Sequence, residues 1–194
     1  MTLLPLVAGL VLFLGVHSTR VFGEAFRSAQ IARLGANGWK GLYSVASIAG
    51  FALIVWGWSL ARQQPTVLWT TPAALRHLVA PLTLIAFILL VGAYIPGNGI
   101  KARLHHPMVL GVKVWALAHL LANNTLADLL LFGSFLLWAV LSFRAARARD
   151  RAAGTVYPRG IVAMTLLTVV VGAAAWAGFA FWAHAAWIGV RPFG

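Results

Sequence analysis

The chain has 194 residues, 61% of them hydrophobic and only 9% charged, with a net charge of +12 and a mean hydropathy of +0.88. Soluble domains are about 45–50% apolar and about 25% charged, so water is not the main solvent of this chain. It contains no cysteine, which excludes disulfides, zinc–thiolate sites, iron–sulfur clusters, covalently attached c-type haem and any thiol nucleophile.

The opening Met1-Thr2-Leu3-Leu4-Pro5 carries no basic residue, and no small-residue cleavage pattern follows it. The first apolar run is therefore read as a retained helix, not a removable signal peptide. A spanning helix needs roughly 20 mostly apolar residues, because backbone groups cannot go unpaired in hydrocarbon. Six stretches qualify. The first two run about Thr2–Val21 and Gly38–Leu60. The third, Pro72–Ile95, stops at the breaker cluster Pro96-Gly97-Asn98-Gly99. The fourth starts at His106-Pro107, where proline suits a first helical turn, and fades at Ala122-Asn123-Asn124. Thr125-x-x-Asp128 reads as a capping box opening the fifth, Leu126–Phe143. The sixth is Gly160–Ile188. The expectation is an all-α polytopic membrane protein, one domain over residues 1–194, built as a bundle of about six transmembrane helices.

Basic residues orient it. The stretch after span one holds Arg20, Arg27, Arg33 and Lys40. Lys101 and Arg103 follow span three, and Arg144, Arg147, Arg149, Arg151 and Arg159 follow span five. Those eleven face only Arg62, Arg76 and Arg191 on the other side, with Lys113 inside span four. The positive-inside rule then places both termini outside. Trp56, Trp58, Trp69, Trp182 and Trp187 gather at the outer boundary, and Trp39 with Tyr43 at the inner one, as an aromatic belt should. Charges that flank spans, with no basic stripe between stacking rings, argue against a nucleic-acid partner. The bilayer is the expected partner.

An ionisable side chain inside a bilayer is costly enough to suggest function. No carboxylate qualifies: Glu24 and Asp150 fall in cytoplasmic loops, and Asp128 caps a helix. That argues against a carboxylate relay or a paired-acid enzyme. His17 lies about 22 Å down span one and His119 about 20 Å up the oppositely directed span four, by helix rise. Both fall in the middle of a core about 30 Å thick, at depths that differ by roughly 10 Å. His77 and His184 lie nearer the outer surface, while His105 and His106 stand at the inner start of span four, where capping is the plain reading. One buried imidazole most simply hydrogen-bonds across helices. Two, on separate helices and without carboxylates, also match axial ligation of haem in a bundle. Arg20, three residues after His17, either pairs with a haem propionate or snorkels to the headgroups. Lys113 either snorkels or meets an anionic ligand.

Four strings carry a resemblance. They are Leu14-Gly15-Val16-His17-Ser18-Thr19-Arg20, Trp39-Lys40-Gly41-Leu42-Tyr43-Ser44, Tyr94-Ile95-Pro96-Gly97-Asn98, and the run from His106-Pro107-Met108 to Ala118-His119-Leu120-Leu121-Ala122-Asn123. Over about residues 5–145 the chain resembles the NnrU family of bacterial inner-membrane proteins, associated with nitrite and nitric oxide reduction. That family is similar to zeta-carotene isomerase, a membrane enzyme carrying haem b, whose essential histidines match His17 and His119. The resemblance implies a multi-pass inner-membrane protein with haem b and redox or isomerase-like chemistry on a small or lipidic substrate, with a homo-oligomer allowed. The isomerases' long extensions and proposed cysteine ligand have no equivalent here. A cofactor-free assembly or transport partner for denitrification enzymes is the alternative. His106-Pro107-x-x-x-Gly111 also resembles membrane methyltransferases of the isoprenylcysteine type, which bind S-adenosylmethionine. Those follow the element with glutamates, and none occurs here after Glu24.

Overall fold

A computed structural model describes residues 3–192, and of Ala73 and Arg76 only the backbone. Thr2, the expected first residue of span one, lies outside them. The described chain is helical: α1 (Leu4–His17), α2 (Thr19–Phe22), α3 (Glu24–Ala61), α4 (Ala73–His77), α5 (Val79–Tyr94), α6 (Gly99–Leu104), α7 (Pro107–Ala122), α8 (Leu126–Ala152), α9 (Val162–Gly178), then a π turn (Phe179–Ala183) leading into α10 (His184–Ile188). Glu24–Ala61, Leu126–Ala152 and the continuous Val162–Ile188 are long and apolar enough to cross a membrane. Leu4–His17, Val79–Tyr94 and Pro107–Ala122 are apolar but shorter.

The span boundaries have local causes. The expected third span is split at Leu78, between α4 and α5. Pro81 has no N–H to give the carbonyl of His77, which frees the turn there. Pro107 occupies the first turn of α7. The capping box forms as written: Thr125 accepts from the Asp128 backbone, and the Asp128 carboxylate accepts from the Thr125 hydroxyl at 2.6 Å. The breaker cluster is also a strut. Asn98, 1% exposed, caps α6 by accepting from Lys101 N at 2.8 Å and donates to the carbonyls of Gly92 and Ile95.

Two elements differ from expectation. The Arg-rich stretch after span five is helix, because α8 continues to Ala152 and carries Asp150 with it. Arginine is a good helix former, and hydropathy reports burial in lipid, not helicity. The basic stretch after span one is also helix, folded back on itself. Gly35 takes φ 72° and ψ 165° inside α3, a conformation that side chains resist. Phe26 and Trp39 then meet ring to ring at 6.3 Å, whereas thirteen residues of straight helix would hold them about 20 Å apart.

Helix α1 packs antiparallel on the second half of α3 with their backbones nearly touching. A Cβ on Gly57 would stand 2.1 Å from the Leu6 nitrogen, and one on Gly9 2.6 Å from that of Ile54. Where this pair meets α8, Leu6, Leu10, Ile54, Ala127, Leu131 and Phe132 form the buried core. Helix α5 packs between α7 and α9. The basic segments converge on one end of the bundle, where the Arg149 guanidinium donates to the Arg20 carbonyl at 2.7 Å and His106 bonds to Asp150. The opposite end joins the other connections. Leu68 N donates to Asn124 O, Leu126 N to Thr66 O, and Arg62 to the Ile188 carbonyl.

Candidate functional site

His17 and His119 share one local arrangement. Each stands at the end of an apolar helix, with Nδ1 within hydrogen-bond distance of the carbonyl one turn back. For His17 the partner is Phe13 O at 2.6 Å, and for His119 it is Trp115 O at 2.9 Å. A carbonyl only accepts, so each imidazole carries a proton on Nδ1, and in its neutral form keeps a lone pair on Nε2. Neither Nε2 makes a hydrogen bond among the described residues. Aromatic rings fix both imidazoles. Phe13 stacks on His17 at 4.2 Å, with Tyr43 at 5.1 Å and Trp138 edge-on at 6.0 Å. Phe132 stacks on His119 at 4.6 Å, with Trp115 at 5.0 Å.

The space between spans one and four is not an open interface: helix α8 bridges it. Phe135 of α8 lies 5.8 Å from Phe13 and 5.6 Å from Trp115. Helix α8 also serves as a ruler. His17 sits against Trp138 and His119 against Phe132, six residues or about 9 Å apart along the axis. The two imidazoles thus meet α8 at different levels, and aromatic rings fill the space between.

Of the other two site residues, Arg20 follows a tight turn at Ser18 that ends α1. Its side chain is 58% exposed, with Nε 3.7 Å from Glu24. Lys113 is partly buried in α7 and makes no hydrogen bond or ion pair among the described residues. The structure therefore does not bring the four residues into one cluster. His184 turns its Nδ1 to the Val190 carbonyl at 2.7 Å.

Imidazole is a donor type that would hold an iron-bearing group. Two imidazoles, each held by a backbone carbonyl, present Nε2 atoms without a hydrogen-bond partner among the described residues, in aromatic surroundings; when neutral, that is the form a metal-bound histidine takes. Beside His17, the buried Trp138 indole N–H has no acceptor among the described residues, so a group bearing an acceptor would satisfy it. No cluster of three or more His, Asp or Glu suited to a bare metal ion occurs among the described residues.

A family model described as NnrU protein matches residues 5–192. The chain belongs to the NnrU family. The match extends past the four strings to include the last helix, which by composition alone is a generic apolar span. No curated protein and no solved structure matches this NnrU chain.

A second polar cluster, not anticipated from the sequence, closes the basic end of the NnrU bundle. His106, expected to cap α7, makes no side-chain cap bond. Its Nε2 is 2.8 Å from Asp150 Oδ2 instead. Tyr157 donates to the same oxygen at 3.2 Å, and Arg147 lies 4.0 Å from it. Partial burial would by itself raise the Asp150 carboxyl. The hydrogen bonds from His106 and Tyr157, with the charges of His106 and Arg147, outweigh that and hold it below the ordinary 3.8. The signal available in the sequence is an adjacent histidine pair before a proline, with one acid in the last sixty-odd residues.

Proposed function

We propose that this NnrU-family protein is an integral inner-membrane haem b protein. It crosses the membrane six times with both termini outside, and His17 and His119 would hold the haem iron. The observation that carries the reading is the pair of locked imidazoles with free Nε2 atoms. Helix packing supports the topology: the basic connections share one end of the bundle and the remaining connections the other. A b-type haem there would supply a redox-active iron, suited to electron exchange in nitrogen-oxide respiration or to isomerase-like chemistry on a small or lipidic substrate. The chain's own residues do the rest. Phe13 O and Trp115 O hold the imidazole tautomers, Phe13, Phe132, Phe135 and Trp115 exclude water, and Trp138 offers a donor to an acceptor on the bound group. Arg20, now beside Glu24, and Lys113 would serve its carboxylates only if the bound group drew them together.

The 9 Å offset supports a second reading, in which one histidine alone ligates the iron. Phe135 stands against both Phe13 and Trp115, so the two histidines would share one iron only if those rings gave way.

Optical spectra of the purified protein, oxidised and dithionite-reduced, decide. The two-ligand form gives low-spin six-coordinate haem, and either His17→Ala or His119→Ala turns it high-spin or removes it. The one-ligand form is high-spin in the wild type and responds to only one of the two substitutions. His77→Ala and His184→Ala leave the spectrum unchanged in both. Folded protein that takes up no haem under ample supply defeats both readings and leaves a cofactor-free partner for denitrification enzymes. Nothing in the bundle favours S-adenosylmethionine, since His106 is held by Asp150.

A further inference from the structure

His105 is the one non-glycine residue with positive φ among the described residues, at 69°, with ψ −50°. The Leu104 carbonyl accepts from His106 N at 2.8 Å across it. An i to i+2 hydrogen bond at these angles is a classic-type γ-turn, rare and strained for a residue with a side chain. The surroundings must hold the turn, and three contacts do so. The His105 ring lies 4.0 Å from that of Tyr157, tilted by 31°, the Arg147 guanidinium donates to His105 Nδ1, and His106 is tied to Asp150.

The Arg147 contact has a protonation requirement. Arginine only donates and does not lose its proton in a protein, so the nitrogen that receives it must carry a lone pair. A His105 that accepts from Arg147 is therefore neutral, with its proton on Nε2. A proton arriving at Nδ1 converts an acceptor into a donor and sets two cations against each other. Asp150 Oδ2 stands ready 3.7 Å from that nitrogen.

We propose that His105 is a proton-operated latch at the basic end of the bundle, separate from the proposed haem site. In the neutral state Arg147 holds His105 and the strained turn is closed. On protonation of Nδ1, His105 pairs with Asp150 and Arg147 is released. The turn in front of Pro107 then relaxes, together with the start of α7, the helix that carries Lys113 and His119. Each state has contacts the other lacks, as a two-state switch requires. The charged and titratable groups facing His105 are His106 on its own turn, Arg147 and Asp150 of α8, and Tyr157 of the segment after α8. Lys101 of α6 turns away, its Nζ donating to the Ala93 carbonyl at 3.2 Å.

Hydrogen exchange of the full chain in lipid nanodiscs tests the latch, read over residues 102–110 and corrected for intrinsic rates. The wild type should open about tenfold more readily near pH 5.5 than near pH 7.5. His105→Asn puts an amide oxygen where Nδ1 accepts, cannot be protonated and tolerates positive φ, so its protection should not change with pH. Arg147→Gln should expose the turn at both pH values, and His106→Gln should keep the step. A flat wild type, or a step that survives in His105→Asn, overturns the proposal. Should His105→Asn fail to fold, nitrogen NMR of labelled wild-type histidines decides. The latch requires His105 Nδ1 to be unprotonated above neutrality, and a proton found there sinks it.

Discussion

Helix α8 carries a carboxylate near each end, and the two are used differently. Asp128 is 7% exposed and accepts only from groups that do not titrate near neutrality: the Thr125 hydroxyl and backbone, and the Trp58 indole N–H at 3.2 Å. Arg62 lies over the Trp58 ring at 4.6 Å and bonds to the Ile188 carbonyl, which locks that end further. Asp150 is met instead by His106, His105, Tyr157 and Arg147. One end is a fixed cap joining α3 to α8. The other is a junction whose contacts depend on proton occupancy. The distinction lies in the donors, since the acceptor is the same.

The largest effect expected from breaking this contrast is at the cap. Asp128→Ala removes the capping box and leaves the Trp58 N–H without its acceptor in the core, a loss of about 2–4 kcal/mol. Thermal unfolding in detergent should shift down by a similar amount at neutral and mildly acidic pH. A shift that appears only in acid would mean that Asp128 is not a fixed cap.

The cap was legible and the junction was not, for a physical reason. A capping box is a local pattern of three residues' spacing, so Thr125 and Asp128 announce themselves. Pro107, the Pro96–Gly99 break and the apolar runs are local in the same way. The Asp150 junction joins residues more than forty positions apart. It also depends on α8 continuing through a run of arginines that hydropathy treats as the end of a span. The depth offset between His17 and His119 could be counted from helix rise. That α8 would place Phe135 between their helices could not, because an apolar stripe does not name its neighbour. The fold-back at Gly35 left no trace in hydropathy for the same reason.

A smaller effect separates the junction from the cap by pH. The Asp150 carboxyl is held below its ordinary 3.8, so its contribution to stability is fully present above that value and is lost as pH falls through the lowered folded-state value. Asp150→Asn keeps an oxygen for His106 and Tyr157 but cannot titrate. Its unfolding curve should lack the wild type's acid-side decline, and the latch step should weaken because protonated His105 loses its anionic partner. An acid decline of wild-type size in Asp150→Asn would assign the loss to other groups.

The smallest effect is expected at Tyr157, and it is the most discriminating. Its hydroxyl contributes one hydrogen bond to Asp150 at 3.2 Å, so Tyr157→Phe should cost no more than about 1 kcal/mol in unfolding. The ring that lies against His105 remains. The informative readout is titration, in two directions. Without the phenol donor, the Asp150 carboxyl moves up toward its ordinary range, and the acid decline of the folded protein begins at higher pH. Tyr157 itself is raised above 10.0, first by desolvation and then by its hydrogen bond to Asp150 and that residue's charge. Removing the charge in Asp150→Asn should therefore let Tyr157 ionise at lower pH than in the wild type, as read by ultraviolet difference titration of a chain with only three tyrosines. Reciprocal shifts of this kind arise only if the two groups share a proton-sensitive contact. If Tyr157→Phe leaves the acid decline in place and Asp150→Asn leaves the phenol titration unmoved, the junction is as fixed as the cap, and the two ends of α8 differ in composition alone.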